Sequence, residues 1–276
     1  YQADIGRRLI CIGNCGWPIS TGIDFQHLGQ AVLDQAVLGK AEHAKPIGSK
    51  NSRQSVAVSV RRQLFCYAGK MAVPKIIENA SPAEIAQWIK ACLDRALAAE
   101  NGRIAIAVPG GLTPFPILQL LAQSALDWSR ITVWPSDDRM VREDHEASNT
   151  GRIRALMEPV GADVAALSLT QTVPHFALVW LGMGADGHIA SLFPNNDPQV
   201  DDPRAIRQLT PDPLPPQAPF DRITLTIPSL LNSDALMFVM RGADKRAMLD
   251  GAVAGRHDVP VARLLGAAQQ DVTCFV

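Results

Sequence analysis

The sequence predicts an α/β fold, a doubly wound and mostly parallel sheet with helices on both faces. Two observations lead there. From residue 82 onward, short apolar runs alternate with longer segments whose apolar residues recur at helical spacing. The runs at Ile104–Val108, Phe176–Leu181 and Ala235–Met240 each lead into a turn containing glycine, giving a strand, turn and helix unit. A chain of 276 residues that is 47% hydrophobic is large enough to bury a core, as one large α/β domain or two small ones.

The elements follow in order. Ser81-Pro82-Ala83-Glu84 offers an N-cap serine, a proline at the first helical position and a glutamate three residues after the cap. Ile85, Trp88, Ile89, Cys92, Leu93 and Leu97 then keep helical spacing, so a helix is predicted from Pro82 to Ala99. Ile104–Val108 is a strand, and Pro114 to Leu126, carrying Phe115, Ile117, Leu118 and Leu121, is a second helix. A strand at Ile131–Trp134, a helix over Asn149–Met157, a strand at Phe176–Leu181 and a short helix over His188–Leu192 continue the alternation. The proline-rich stretch Pro211–Pro219 is a loop before a strand at Ile223–Ile227. The chain closes with a strand at Ala235–Met240, a helix over Ala243–Ala254 and a strand at Val272–Val276.

Charge divides the chain. Residues 1–70 hold nine Lys/Arg against four Asp/Glu, a balance of +5, which leaves −6 for residues 71–276 within the overall −1. This first part shows little sustained periodicity, lacks interleaved aromatics and a periodic basic face, and precedes a Met71-Ala72-Val73-Pro74 that resembles a translation start. It is expected to be a basic extension outside the conserved fold, with residues 71–276 forming a single domain. No apolar run approaches the roughly 20 residues of a membrane span, and the start lacks the segments of a secretory signal, so a cytoplasmic protein is expected. Cys11, Cys15, Cys66, Cys92 and Cys274 lack metal-ligand spacing and are expected as free thiols.

Four constellations could carry chemistry. The most informative is Gly184-Ala185-Asp186-Gly187-His188, directly after an apolar strand. Glycines let backbone approach a ligand, histidine has the pKa for proton transfer near neutrality, and strand-end loops are where open α/β sheets bind ligands. Glycine density and the Asp-Gly-His order favour a functional histidine over a capping one. In Pro109-Gly110-Gly111-Leu112-Thr113-Pro114 the glycines expose N–H groups at a helix N-terminus, which suits an anion, although a plain turn with Thr113 as N-cap would look similar. Asp137-Asp138-Arg139 offers a bidentate donor beside acids that could serve proton transfer or pair with the arginine and cap a helix. Lys245, in Arg241-Gly242-Ala243-Asp244-Lys245-Arg246, sits on a helix's first turn, where it could face a phosphate or solvent.

Taken together, Gly-Gly-Leu-Thr-Pro at 110–114, Asp137-Asp138-Arg139 with Ser148-Asn149, the segment from Gly184 through Phe193-Pro194, Arg222-Ile223-Thr224-Leu225-Thr226 and Gly242-Ala243-Asp244-Lys245 resemble the 6-phosphogluconolactonase family. The resemblance covers about residues 72–276. It implies a Rossmann-like α/β sandwich shared with glucosamine-6-phosphate deaminases. The implied reaction is hydrolysis of 6-phospho-D-glucono-1,5-lactone to 6-phospho-D-gluconate, in the oxidative pentose phosphate and Entner-Doudoroff routes, with no cofactor and no metal. His188 would be the general acid/base, with Asp186 fixing the turn or the imidazole. Gly110, Gly111, Thr113, Asp138, Arg139, Gly184, Arg222 and Lys245 would hold substrate and phosphate. The expected partner is this small-molecule lactone, with neither nucleic acid nor membrane, and the expected state a monomer or weak homodimer.

Two positions depart from the family's pattern. Pro109 stands where serine or threonine is usual, removing a hydroxyl and an N–H, and Asp138 replaces a glutamate one methylene longer. The rival reading is an amino-sugar-phosphate deaminase or isomerase, whose similar turn continues as Ala-Phe-Asn-Glu-Pro. Here Ala190-Ser191-Leu192-Phe193-Pro194 lacks that acid. A third reading is a non-catalytic sugar-phosphate-binding protein, against which the retained His188 argues.

Overall fold

The structure, a computed structural model, describes residues 73–216 and 218–276. The extension expected over residues 1–70, with Cys11, Cys15 and Cys66, lies outside the described residues.

Among the described residues seven strands form the main sheet: β1 (Lys75–Ile77), β2 (Ile104–Val108), β3 (Ile131–Pro135), β5 (Asp163–Val164), β6 (Leu178–Leu181), β9 (Ala235–Val239) and β10 (Asp271–Phe275). Their order is β1-β10-β9-β6-β2-β3-β5, and every pair is parallel. From β2 the chain moves outward through β3 and β5, returns to the other side of β2 as β6, and then moves outward through β9 and β10. The winding reverses between β2 and β6, and the crevice beyond the carboxyl ends of these two strands is where such sheets bind ligands.

Among the described residues six helices cover the sheet: α1 (Pro82–Ala99), α2 (Pro114–Ala122), α3 (Asn149–Met157), α4 (Ile227–Leu231), α5 (Ala243–Val253) and α6 (Pro260–Ala267). The two-residue period of a strand sends alternate side chains to opposite faces. Ile104, Ile106, Val108, Leu178 and Trp180 join a core with Ile89 and Leu93 of α1, Leu118 and Leu121 of α2, and Ile153 of α3. Ala105, Ala107, Val179, Leu181 and Phe238 join a second core with Leu230 of α4, Leu249 of α5 and Leu264 of α6. That second face also carries a small antiparallel sheet, β4 (Asp137–Arg139), β8 (Arg222–Leu225) and β7 (Ile206–Leu209), which contributes Ile206, Ile223 and Leu225. At the start of α1 the capping box forms as predicted, with Glu84 N–H donating to Ser81 Oγ at 3.3 Å and Ser81 N–H donating to Glu84 Oε2 at 2.8 Å.

Several predicted boundaries change for local reasons. The second helix stops at Ala122 rather than Leu126, because the N–H and hydroxyl of Ser124 both turn back to the Leu121 carbonyl. His188–Leu192 is not a helix: Gly187 at φ +80° and Ala190 at φ +48° reverse the chain, and Ile189 bridges both Met183 and Leu192. Ile227 opens α4 instead of ending a strand, since Pro228 suits a helix's first turn. The strand read from Phe176 begins at Leu178, with Phe176 in a single bridge to Ser233.

The loop between β5 and β6 is fastened by His175. Its Nδ1 lies 3.0 Å from Asn232 Oδ1 and its Nε2 lies 2.8 Å from Asp234 Oδ1. Asn232 Nδ2 donates to the Pro174 carbonyl at 3.3 Å, which turns the amide oxygen toward the ring. Both ring nitrogens therefore face acceptors, and only imidazolium can donate to both. The hydrogen bonds to Asn232 and Asp234 hold the His175 pKa above its ordinary value. A raised folded-state pKa means the contact stabilises fully below the unfolded pKa and loses its effect as pH rises through the folded pKa. Because the two side chains are 54% and 66% exposed, the gain is below about 1 kcal/mol. His175→Ala is expected to lower the thermal midpoint by about 1–3 °C at about pH 5.5 and to leave it unchanged near pH 9. Equal shifts at both pH values would assign the effect to packing.

Candidate functional site

The histidine turn begins where β6 ends. Gly184 N–H donates to the His188 carbonyl at 2.9 Å and Gly187 N–H to the Gly184 carbonyl at 3.1 Å, closing the loop on itself. Asp186 Oδ1 accepts from His188 N–H at 3.2 Å and lies 2.7 Å from His188 Nδ1. The ionised carboxylate only accepts, so Nδ1 carries a proton and, in the neutral ring, the lone pair sits on Nε2. The Phe193 ring, 5.0 Å away between centroids, borders the imidazole. Gly184 is needed for space: a Cβ there would lie 2.2 Å from His188 Nδ1 and 2.5 Å from Asp186 Oδ1. If the imidazole acts as a general base, Gly184→Ala is expected to displace it and lower turnover at least about tenfold with an unchanged circular dichroism spectrum, since misplacing such a group by about 1 Å costs that much or more. Turnover within twofold of the parent would show that the ring tolerates displacement.

The arginine motif lies beside it on β4. Asp138 is buried, and its carboxylate accepts from the N–H groups of Arg139 at 2.7 Å, Asn149 at 2.6 Å and Thr150 at 2.9 Å, and from Ser148 Oγ at 3.2 Å. Ser148 Oγ in turn accepts from Gly151 N–H at 3.0 Å. Four protein donors thus occupy the Asp138 carboxylate, where a negative charge also suits the α3 N-terminus. Arg139 Nη1 donates to the Ala147 carbonyl at 2.9 Å and to Asn149 Oδ1 at 3.3 Å, whereas its buried Nε has no protein partner.

The glycine loop after β2 touches the same asparagine. A Cβ on Gly110 would fall 1.9 Å from Asn149 Oδ1, so only glycine lets the loop pack there, and Gly111 takes φ +95°. Thr113 precedes α2 in helical conformation, and its exposed hydroxyl makes no capping hydrogen bond, unlike the cap the sequence suggested. Arg222, the cross-strand partner of Arg139, is buried and donates to the carbonyls of Phe220 and, at 2.9 Å, Ala218. Burial first, and then the neighbouring Arg139 charge, hold its pKa below the ordinary arginine value.

Lys245 lies on the first turn of α5. Gly187 packs against this helix, since a Cβ on it would lie 3.4 Å from Met248 Sδ and 2.7 Å from Val259 Cγ2. Lys245 is three residues before Met248, on the same helical face, and is half-buried. His145 is exposed, with its ring edge-on to Phe220. Two residues missing from the sequence-derived site belong to this network: Ser191 Oγ donates to Asp137 Oδ2 at 2.5 Å, and Asn149 links Arg139 to Gly110. The acid pair was visible in sequence, but which of the two remains available is decided by strand placement.

The profile describing glucosamine-6-phosphate isomerases/6-phosphogluconolactonase matches residues 78–166 and 157–274. The chain belongs to this family. The match spans the glycine loop, the arginine strand, the histidine turn and the start of α5. Its family relatives include a 6-phosphogluconolactonase of Pseudomonas aeruginosa, 34% identical over 194 residues that cover 62% of this chain and 79% of the relative. Another, from Neisseria meningitidis serogroup B, is 30% identical over 226 residues, covering 72% and 95%. The crystal structure of a 6-phosphogluconolactonase from Shewanella baltica superposes with a TM-score of 0.62 at 25% identity, over 75% of this chain and 100% of that one. Among the described residues of this family member, no helix is long and apolar enough to cross a membrane, and no group of three His, Cys, Asp or Glu residues is placed to hold a metal ion.

Proposed function

We propose that the chain hydrolyses 6-phospho-D-glucono-1,5-lactone to 6-phospho-D-gluconate, with His188 as general base and then general acid. This is a cytoplasmic step of the oxidative pentose phosphate and Entner-Doudoroff routes. The observation that carries the reading is the Asp186–His188 pair at the winding reversal, linked through Ser191 and Asp137 to the strand bearing Arg139. The printed activity of the relatives, 6-phosphogluconolactonase, supports it.

His188 Nε2 takes a proton from water as its oxygen attacks the lactone carbonyl carbon. Asp186 stabilises the imidazolium that forms. When the tetrahedral intermediate collapses, the bond from carbonyl carbon to ring oxygen breaks and His188 returns the proton to that oxygen. The open-chain acid then ionises. Water enters, no group is left on the enzyme, and the histidine ends as it began.

The phosphate is the handle. The Gly110 and Gly111 N–H groups with Thr113 at the α2 N-terminus, the unpartnered Nε of Arg139, and Lys245 supply donors and positive charge. An anion beside Arg139 also relieves its repulsion with Arg222, whose own donors close the preceding loop. Asp138 keeps Arg139 and α3 in place rather than meeting the ligand. Gripping the substrate far from its carbonyl orients the lactone and reduces the entropy cost of reaction.

The experiment offers the protein 6-phosphogluconolactone and, separately, glucosamine 6-phosphate. Lactone hydrolysis well above the spontaneous rate with no ammonia release is expected. Ammonia release would establish the deaminase reading, and binding without turnover of either compound would establish a silent binder.

A further inference from the structure

Ser191 is three residues beyond His188 and almost fully buried, at 1% exposure. A buried hydroxyl and a buried N–H both need partners. The hydroxyl donates to Asp137 Oδ2 at 2.5 Å, and the N–H donates to Thr224 Oγ1 at 3.3 Å. Asp137 and Thr224 are cross-strand partners in the pairing of β4 with β8, so one residue of the turn grips both members of a single strand pair. Among the described residues these are the hydrogen bonds that join the turn 184–193 to the small antiparallel sheet.

The backbone around Ser191 is arranged for this contact. Ala190 adopts φ +48°, a left-handed conformation that a residue with a Cβ rarely takes and that persists only where its surroundings enforce it. Leu192 N–H donates back to the Ile189 carbonyl at 2.8 Å, so the tight turn presents Ser191 to the sheet. The other Asp137 oxygen accepts from Ser136 Oγ at 3.2 Å. Two residues along the same strand is Arg139, whose Nε has no protein partner.

We propose that Ser191 is a positioning residue, whose hydroxyl on Asp137 and N–H on Thr224 lock the histidine turn to the strand carrying Arg139 and so set the separation between base and phosphate grip. The proposal rests on the lactonase reading given above. Phosphate contacts are made equally in the ground state and the transition state, whereas alignment of His188 with the carbonyl matters only as the proton moves. Loosening the lock should therefore lower kcat and spare KM.

The test compares Ser191→Ala and Thr224→Val with the parent protein, measuring kcat and KM for 6-phosphogluconolactone, circular dichroism, and the His188 ring resonances by NMR without substrate. Expected are a kcat loss of at least tenfold in Ser191→Ala, a KM within threefold, a smaller kcat loss in Thr224→Val, and displaced His188 resonances in both folded variants. If Ser191→Ala does not fold, the isosteric Thr224→Val decides by the same two measurements. A kcat within twofold of the parent, a loss expressed mainly in KM, or unmoved His188 resonances would overturn the assignment. A parent protein that does not hydrolyse the lactone would refute the lactonase reading instead, and the ring resonances would then judge the lock by themselves.

Discussion

His188→Ala lowers lactone turnover by about a hundredfold or more and leaves the fold intact, if the imidazole moves the proton as proposed, because a positioned general acid/base contributes at least that much. The argument for a large effect is geometric. Asp186 holds Nδ1 at 2.7 Å, leaving Nε2 as the free basic atom. The turn that carries the ring is closed by its own backbone hydrogen bonds and packs on α5 through Gly187. Removing the ring therefore deletes a function without removing a core side chain, and circular dichroism should be unchanged. A variant of normal fold that retains more than half of the parent rate above the spontaneous background would take His188 out of the mechanism.

Arg139→Ala raises KM for the phosphorylated lactone by at least about tenfold and changes the hydrolysis of unphosphorylated gluconolactone far less, because a charge-assisted contact to a phosphate cannot serve a substrate that lacks one. Arg139 is the stronger of the two cationic candidates. Its guanidinium is half-buried and, among the described residues, pairs with the neutral Ala147 carbonyl and Asn149 Oδ1 and with no carboxylate, which leaves its charge for an anion. Lys245→Ala, on the neighbouring helix, should show the same selectivity to a smaller degree. Equal effects on both substrates would mean that Arg139 supports the strand, where it already holds the Ala147 carbonyl and Asn149.

The main sheet was legible in sequence wherever burial left its mark. β2, β6 and β9 are apolar runs of four or five residues because both faces of each strand are covered. Of the small antiparallel sheet only β8 was, within the strand read at Ile223–Ile227. Asp137–Arg139 has no apolar member, and it becomes a strand only by pairing with β8. α6 went unread although Pro260 at its start and Val261, Leu264 and Leu265 at helical spacing mark it.

The site divides in the same way. Glycine spacing around Asp186 and His188 pointed to the turn, because glycine is required where Gly184 meets the ring and where Gly187 takes a positive φ. Nothing in the residue types says that Ala190 is left-handed, and so a helix was expected where the turn stands. Nor could the order Asp-Asp-Arg separate its two acids. Neighbours on a strand point to opposite sides, so Asp138 enters the α3 N-terminus while Asp137 meets Ser191.

The most direct measurement is a 31P NMR time course of freshly prepared 6-phosphogluconolactone with the parent protein, with His188→Ala, and with buffer alone. The account predicts rapid conversion of the lactone signal to that of 6-phosphogluconate with the parent protein, and a course close to buffer with the variant. Conversion no faster than buffer in the presence of folded parent protein would contradict it.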